Sequence, residues 1–294
     1  MDNNNNYNWS DQSVFVENQT GTVAKKFFAN VFLWMFVALG ISTAAAVYMA
    51  NTPEMLNYLL NQETGKLSML GYVAMFAPLG LVLLMSAGLS KLSYTALLGT
   101  FILYSLLTGV SLSFILLIYT SGSVIGCFAA AAGIFGLMAV LGYTTDTDLS
   151  KFGPILMVGV IGLVIASVVN MFLQSSSFDY FMSFVGVAIF TALTAYDVQK
   201  LKRIGAGIEE NGSTMAADDN KKLAIMGALS LYLDFINIFL FLLRIFGGRK
   251  SQKADPIRNI FSHCNCTHHH FDLGHLQPDA GQKKTDASER SCRI

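Results

Sequence analysis

Seven long, almost uncharged apolar runs constrain the fold of this chain more than any other feature. They lie at residues 27–50, 69–89, 94–118, 123–143, 152–173, 180–200 and 222–246. Each run reaches the roughly 20 residues that a helix needs to cross the apolar core of a bilayer. Backbone polar groups must be paired inside lipid, and the runs lack the alternation of barrel strands. The sequence therefore predicts an all-α integral membrane protein with seven spans.

Composition supports a membrane protein and argues against several other classes. Hydrophobic residues make up 53% of the chain and charged residues 13%, whereas a soluble domain carries roughly 25% charged residues. The formal net charge is zero, so no excess of basic residues indicates nucleic acid as a partner. The sequence contains no phosphate-binding glycine loop and no nucleophile elbow. We therefore expect membrane lipid as the surrounding partner and no ATP-driven activity.

The chain divides into three segments by polarity. Residues 1–24 are polar and rich in Asn, residues 25–250 carry the seven spans, and residues 251–294 form a polar tail. The first span is too long for the core of a cleaved signal peptide, so we expect it to remain. The tail contains Cys264, Cys266 and all of the histidines, but their spacing matches no closed zinc motif. We therefore predict a disordered tail rather than a metal site.

The distribution of Lys and Arg predicts the orientation of the spans. These residues are more numerous at the N-terminus and in the loops after spans 2, 4 and 6 than on the other side. The excess predicts a cytoplasmic N-terminus. Arg244, Arg249 and Lys250 lie at the end of span 7, on the opposite side, and weaken the asymmetry. Because a re-entrant span 7 would also explain them, the sequence leaves two alternatives for this span.

Two long connections and one unusual span add detail to this topology. Residues 51–68 can hold a surface helix, and the charged, glycine-rich residues 201–221 predict a solvent-exposed loop. Span 4 is dense in small residues, which allow helices to approach closely in lipid. They are Ala129, Ala130, Ala131, Ala132, Gly133, Gly136 and Ala139. We interpret span 4 as a tightly packed interior helix, with a hinge or pore-lining helix as the alternative.

Two acidic residues lie inside the predicted spans, where burial is costly. Asp197 lies near the cytoplasmic end of span 6, and Asp234 lies midway along span 7. A carboxylate at the bilayer centre costs at least ~2.5 kcal/mol, so it faces the bundle interior or water and marks a functional site. Spans 6 and 7 are consecutive and antiparallel, and the two depths match if helix 7 begins above the lipid. We therefore predict that the two aspartates form a pair.

Three polar residues extend from the aspartates along the same helix faces. Thr194 lies one turn before Asp197. Asn237 lies three residues after Asp234, and Arg244 lies two turns further along span 7. Residues three or four apart share a helix face, so this stripe predicts a polar lining. The alternative is that the polar groups only bond neighbouring helices, while Arg244 extends its charge to the membrane boundary.

A pair of carboxylates inside a membrane supports a definite chemistry. Two like charges in close contact cannot both ionise cheaply, so the carboxyl groups can share a proton and titrate as one unit. When both are ionised, they form a hard oxygen site suited to a divalent cation such as calcium. Asp197 and Asp234 are therefore candidates for a proton-controlled latch and for calcium ligands, and the sequence indicates no other cofactor.

Two segments resemble the Bax inhibitor-1 family, also called the transmembrane Bax-inhibitor-motif or lifeguard family, and its bacterial members in particular. They are AYDVQKLKRIG at residues 195–205 and LSLYLDFINIFLFLLRIFG at residues 229–247. The order and length of the spans also fit, so the resemblance covers roughly residues 20–250. It implies six spans around a central seventh, in the cell membrane of a bacterium.

The resemblance also implies a function. In such a protein, Asp197 and Asp234 would form a pH-sensitive centre in a calcium leak pathway, and Arg244 would help to close the outer end. Some family members carry an arginine on span 2 that latches one aspartate. Span 2 of this chain, MLGYVAMFAPLGLVLLMSAGL, has no charged residue, so the sequence does not supply that latch.

Two other functions compete with a calcium leak channel. One is a regulatory protein that binds another membrane protein, such as a membrane-bound protease, without transport of its own. The other is an intramembrane aspartyl protease, because Tyr196 and Asp197 form a Tyr-Asp pair on a helix next to a second aspartate. The chain lacks the Gly-x-Gly-Asp and Pro-Ala-Leu segments of such proteases. We therefore expect no enzymatic activity.

Overall fold

The computed structural model describes residues 9–59, 68–89, 91–210 and 217–250, with residues 9–22 described by their backbone alone. These residues form eight α-helices and one short 3₁₀ turn. They are α1 (Trp9–Asn51), α2 (Pro53–Leu59), α3 (Met69–Gly88), α4 (Tyr94–Ile118), α5 (Ser121–Thr144), the 3₁₀ turn (Leu149–Phe152), α6 (Gly153–Leu173), α7 (Ser176–Glu210) and α8 (Ala217–Phe246).

The seven predicted spans correspond to α1 and to α3 through α8. Each of these helices is long and apolar enough to cross a membrane, so the prediction of an all-α, seven-span protein is confirmed. The helix α2 lies within residues 51–68, where a helix was expected. Residues 1–24 were assigned to a polar segment, and from Trp9 onward they already form the start of α1. The tail at residues 251–294 lies outside the described residues.

Short polar residues start several of the helices and keep the connections brief. The hydroxyl groups of Ser68, Ser93 and Thr120 each accept a hydrogen bond from a backbone N–H three residues later. Such caps satisfy one of the N–H groups that a helix start leaves unpaired. At the end of α6, Gln174 adopts a left-handed conformation with φ of 49°. Because the connections at Ser93, Thr120 and Gln174 contain only a few residues, the spans that they join run antiparallel.

The seventh span, α8, lies at the centre of the bundle. It packs against α1, α4, α5 and α7, and 67% of its most apolar 18-residue stretch is buried. By contrast, α3 packs mainly on α4, and α6 packs mainly on α7. Only 6% of the corresponding stretch of the span that contains α6 is buried. The predicted central position of span 7 is therefore confirmed, and α3 and α6 form the lipid-facing periphery.

Span 7 crosses the whole bundle instead of turning back. After the last turn of α8, the backbone N–H of Thr120 donates to the carbonyl of Gly248 at 2.9 Å. The backbone N–H of Lys250 donates to the carbonyl of Ile118 at 3.0 Å. The chain after α8 is thus bonded to the α4–α5 turn, which lies at the opposite end of the bundle from the α7–α8 connection. The re-entrant alternative is therefore wrong.

The prediction of an exposed loop at residues 201–221 is wrong for most of that segment. The helix α7 continues to Glu210, and α8 begins at Ala217, while residues 211–216 are not described. Leu201, Gly205 and Ile208 are buried along one face of the α7 extension. A Cβ at Gly205 would lie 3.4 Å from the ring of Phe27 on α1. Lys202, Arg203 and Glu210 therefore lie on the exposed face of a packed helix.

The interpretation of span 4 as a tightly packed interior helix is also wrong. One face of α5 is buried, and it consists of Cys127, Ala131, Phe135, Ala139 and Gly142. The other small residues of the span are exposed: Ala129, Ala130, Ala132, Gly133 and Gly136. A Cβ added at Gly133 or Gly136 would meet nothing within 4 Å. Of the small residues that suggested close packing, only Ala131 and Ala139 are buried, and the closest approach of α5 to α7 is at Gly142.

Candidate functional site

Asp234 lies inside the protein, in the middle of α8. Only 4% of the residue is exposed, and its Oδ2 atom has no hydrogen-bond partner among the described residues. A buried polar atom without a partner is costly, and few such atoms occur in native proteins. Its persistence in the middle of the central helix therefore marks Asp234 as a functional candidate.

The second predicted aspartate, Asp197, lies on α7 within electrostatic range of the first. The Asp197 carboxylate on α7 is close enough to repel the Asp234 carboxylate when both are ionised. Asp197 is only partly buried. The ammonium group of Lys200, which is exposed one turn further along α7, attracts it. The structure thus places the two aspartates within electrostatic range of each other, with a positive charge in range of Asp197, the more exposed of the two.

Two of the predicted lining residues contribute polar atoms near the pair without bonding to it. The Thr194 hydroxyl is fully buried and donates to the carbonyl of Phe190 at 2.9 Å. The Asn237 side-chain amide donates to the carbonyl of Leu233 at 2.8 Å. Each donor is thus used within its own helix. The oxygen of each side chain retains lone pairs that can accept a proton donor or contact a cation.

Arg244 lies apart from the aspartate pair. Its guanidinium donates to the Oδ1 atom of Asp179 at 3.0 Å, and it lies 5.5 Å from the centre of the Phe241 ring. Asp179 is in the first turn of α7 and Arg244 is in the last turn of α8. Ten residues, or ~15 Å of helix, separate Arg244 from Asp234. The ion pair therefore ties the two helices together at the end of the bundle where α8 terminates.

A group of side chains that the sequence analysis missed holds the α5–α6 connection against α7. The Gln199 side chain accepts from the backbone N–H of Leu149 at 2.8 Å and donates to the carbonyl of Thr147 at 2.7 Å. The Arg203 guanidinium bonds Asp148 and the hydroxyl of Ser150. We call residues 147–150 with Gln199 and Arg203 the clasp. It covers α7 within two turns of Asp197, at the end of the bundle opposite Arg244.

The charge state of the clasp is fixed over the neutral pH range. Hydrogen bonds from the Arg203 guanidinium, and then from the backbone N–H of Ser150, lower the pKa of Asp148 to about 2 from its ordinary value of 3.8. The carboxylate is exposed and lies outside the spans. Any pH response between pH 5 and 8 must therefore come from other groups.

Close approaches of glycines bring α5 and α6 against the segment of α7 that precedes Asp197. A Cβ at Gly142 would collide with the backbone carbonyl of Ala195. A Cβ at Gly153, the first residue of α6, would lie 2.8 Å from the hydroxyl oxygen of Tyr196. These contacts position the backbone immediately before Asp197, so α5 and α6 hold the aspartate in place together with α7.

The aspartate pair could contact a calcium ion but could not enclose one. Calcium takes six to eight oxygen ligands, and the pair supplies two carboxylates. Within the described part of the chain, no group of three or more His, Cys, Asp or Glu side chains is arranged to hold a metal. The remaining ligands would have to come from Thr194, Asn237, backbone carbonyls and water. Such a partial ligand set suits an ion in transit better than a resident ion.

Comparison with known proteins supports the resemblance. The sequence model described as "Inhibitor of apoptosis-promoting Bax1" matches residues 24–251. The inner membrane protein YbhL of Escherichia coli K12 is 43% identical over 224 residues, which cover 76% of this chain and 92% of the relative. A protein of Borreliella burgdorferi is 41% identical over 236 residues, which cover 80% and 97%. A membrane protein of Streptococcus pyogenes serotype M6 is 34% identical over 241 residues, which cover 81% and 98%.

These similarities agree with the architecture. The seven spans and the similarity to a named inner membrane protein identify an integral, multi-pass protein of the inner membrane. The match of the family model extends over all seven spans. The chain therefore belongs to the Bax inhibitor family of membrane proteins.

Proposed function

We propose that this protein is a pH-sensitive leak channel for calcium or a similar cation, gated by Asp197 and Asp234. The observation that carries the proposal is the unpartnered Oδ2 atom of Asp234 beside a second carboxylate, in the centre of a membrane bundle. A cation or a proton could satisfy such an atom. The proposal gives the pair no catalytic role.

The gate would work through repulsion between the two carboxylates. When the pair shares a proton, the repulsion is reduced, and α7 and α8 can remain in close contact. When the proton leaves, two negative charges face each other in a medium of low dielectric constant, where their interaction is strong. Separation of α7 and α8 relieves the repulsion, and the two exposed carboxylates then attract a divalent cation. Flux should therefore rise as the pH rises through the titration of the pair.

A group of polar contacts lies at each end of the bundle, on either side of the proposed gate. With the N-terminus in the cytoplasm, as we propose from the charge distribution, the clasp lies at the cytoplasmic end and the Asp179–Arg244 ion pair lies at the outer end. The helix α3 carries no charge and packs mainly on α4, so it cannot latch the aspartates. In this chain, Lys200 would be the positive charge that holds Asp197 when the pair is ionised.

Calcium flux into proteoliposomes, measured between pH 5 and 8, tests the proposal. We expect a flux that rises with pH in the parent, and a flux that no longer depends on pH after Asp234→Asn or Asp197→Asn. Asp146→Asn is the matched control, because it makes the same chemical change at an exposed position on the α5–α6 connection. An unchanged pH profile in both gate variants would contradict the proposal. The absence of flux from folded parent protein would favour a regulatory binding role instead.

A further inference from the structure

A second feature of the bundle lies away from the aspartates. A cavity of about 500 Å³ opens between α1, α4, α5 and α8, at the end where α8 terminates. Its deep wall is apolar and includes Phe128, Ile236 and Phe239, whereas Asn51, Ser121 and Lys250 line it near the helix ends. Most ligand pockets have this character, with apolar walls and a few polar groups that fix orientation.

The cavity is separated from the proposed gate by α8 itself. Ile236 and Phe239 share the face of α8 that carries Tyr232, because they lie four and seven residues after it. Asp234 lies two residues after Tyr232, or ~200° around the helix, and therefore faces the other way. The cavity is thus a distinct site and does not depend on the function proposed for the aspartate pair.

The length of the cavity matches one leaflet of a bilayer. Its lining runs along α1 from Leu39 to Asn51, which is ~18 Å at 1.5 Å per residue. Half of a bilayer core is ~15 Å. The polar group at its deep end, the Ser42 hydroxyl, is already bonded at 2.7 Å to the Tyr232 hydroxyl and at 2.7 Å to the Ser105 carbonyl. The interior therefore offers an extended, apolar slot with a polar mouth.

The chain after α8 places a positive charge at that mouth. Residues 247–250 are bonded to the α4–α5 turn through Thr120 and Ile118. A Cβ at Gly247 would collide with the Leu243 carbonyl, so only glycine fits where this segment leaves α8. The Lys250 ammonium donates to the carbonyl of Leu116 at 2.9 Å. A lysine has three N–H donors, so two remain after this bond.

The charge of Lys250 has no counter-charge among the described residues. The ion pairs among all the described residues involve Arg203, Lys221, Lys222 and Arg244 with their acidic partners, and none of them includes Lys250. The first turn of α5, which begins at the cavity with Ser121, adds the partial positive charge of a helix N-terminus. The mouth is therefore complementary to an anion, and the slot below it is complementary to hydrocarbon.

We propose that this cavity binds one acyl chain of an anionic membrane lipid, with the lipid phosphate or carboxylate against Lys250. The two free donors of the ammonium bind the anionic oxygen, and the chain lies against Phe128, Ile236 and Phe239. Charge at a membrane surface attracts lipid headgroups of the opposite sign. The apolar slot below the mouth holds one acyl chain of the lipid whose headgroup binds Lys250. A zwitterionic lipid fills the same slot, but the cation of its headgroup competes with Lys250 for the lipid phosphate.

Native mass spectrometry of the full-length protein, taken from vesicles of phosphatidylglycerol and phosphatidylcholine in equal amounts, tests this site. We expect one retained phosphatidylglycerol, preferred about tenfold over phosphatidylcholine, because the choline cation of the latter neutralises its phosphate and is repelled by the Lys250 ammonium. Lys250→Gln, whose amide can still donate to Leu116, should abolish the preference. Arg249→Gln removes the same charge from the adjacent exposed residue and is the matched control.

A second variant tests the slot separately from the charge. Val47 lines the cavity and is exposed there, so Val47→Phe should fill the slot without disturbing the core and should abolish retention of either lipid. Parent protein that retains both lipids equally would overturn the proposal, as would parent-like preference in Lys250→Gln or parent-like retention in Val47→Phe. Lipid retention that appears only after removal of residues 252–294 would also overturn it, because that segment would then be the occupant.

Discussion

Among single residues, Asp234 is the one whose chemistry conflicts most with its surroundings. One of its oxygens is buried without a partner among the described residues, as are single oxygens of Thr191, Glu209 and Asn220, but only Asp234 places such an oxygen on a carboxylate inside the central helix. An unsatisfied buried polar group costs about 1–3 kcal/mol. Stability alone would favour a different residue at position 234. The cost is consistent with a site kept for an exchangeable proton or ion.

The variant Asp234→Asn should be more stable than the parent at pH 8. A neutral amide is less costly to bury than an ionised carboxylate that faces Asp197, so we expect a gain of about 1–3 kcal/mol in the free energy of unfolding. The gain should shrink at pH 5, where the pair holds a proton. Thermal unfolding in detergent at both pH values measures it, with Asp146→Asn expected within ~0.5 kcal/mol of the parent. Lower stability of Asp234→Asn at pH 8 would mean that the carboxylate is paired.

Asp148 should affect stability in a different pH range. Its pKa of about 2 lies below the ordinary 3.8, so its ionised form is stabilised by folding. That contribution is complete above pH 3.8 and is lost as the pH falls toward 2. We therefore expect the difference in melting temperature between parent and Asp148→Asn to be constant from pH 5 to 8 and to vanish near pH 2. A difference that changes between pH 5 and 8 would contradict the assignment.

The site was partly predictable from sequence at this scale. A charge inside an apolar run is visible without a structure, so Asp197 and Asp234 could be found, and antiparallel neighbours made their pairing a natural prediction. Asp179 and the clasp were missed because their partners are distant in sequence. An acidic residue in the first turn of span 6 and a basic residue in the last turn of span 7 were the available signal for the Asp179–Arg244 pair.

At the scale of elements, the length of each apolar run was more informative than its composition. Run length located all seven spans, because the bilayer sets a minimum length for a helix. Composition misjudged α5, since small residues permit close packing on a face but do not say which neighbour, if any, lies there. It also misjudged the α7 extension, where charges on one face obscured the buried row of Leu201, Gly205 and Ile208.

Two glycines of α5 should respond differently to the same substitution. Gly142→Ala should destabilise the protein by about 1–3 kcal/mol, because the added Cβ would collide with the backbone of Ala195 and force α5 from α7. Gly133→Ala, on the open face, should be neutral or stabilise by up to ~1 kcal/mol through higher helix propensity. Thermal unfolding in detergent compares the two. Equal effects would show that α5 does not pack against α7 through Gly142.

At the scale of the whole molecule, polar contacts join the helices at both ends of the bundle, and two aspartates that repel each other when ionised lie between these ends. The clasp joins the α5–α6 connection to α7 at one end, and Asp179 joins Arg244 at the other. Between them, the central helix presents Asp234 to Asp197. Exposed ion pairs contribute at most about 1 kcal/mol. Under the proposed function, opening of the end held by Asp179 and Arg244 would therefore cost little free energy.

Loss of the Asp179–Arg244 pair should increase calcium flux at every pH without removing the pH response. Because the pair contributes at most about 1 kcal/mol to the closed state, Asp179→Asn should raise the flux up to about fivefold. Arg244→Gln should act equally, and the double variant should add nothing further, because one interaction is removed in each case. Asp218→Asn breaks another exposed ion pair, with Lys221 at the start of α8, and should leave the flux unchanged. Additive effects of the two end variants would show that Arg244 closes the pathway through a partner other than Asp179.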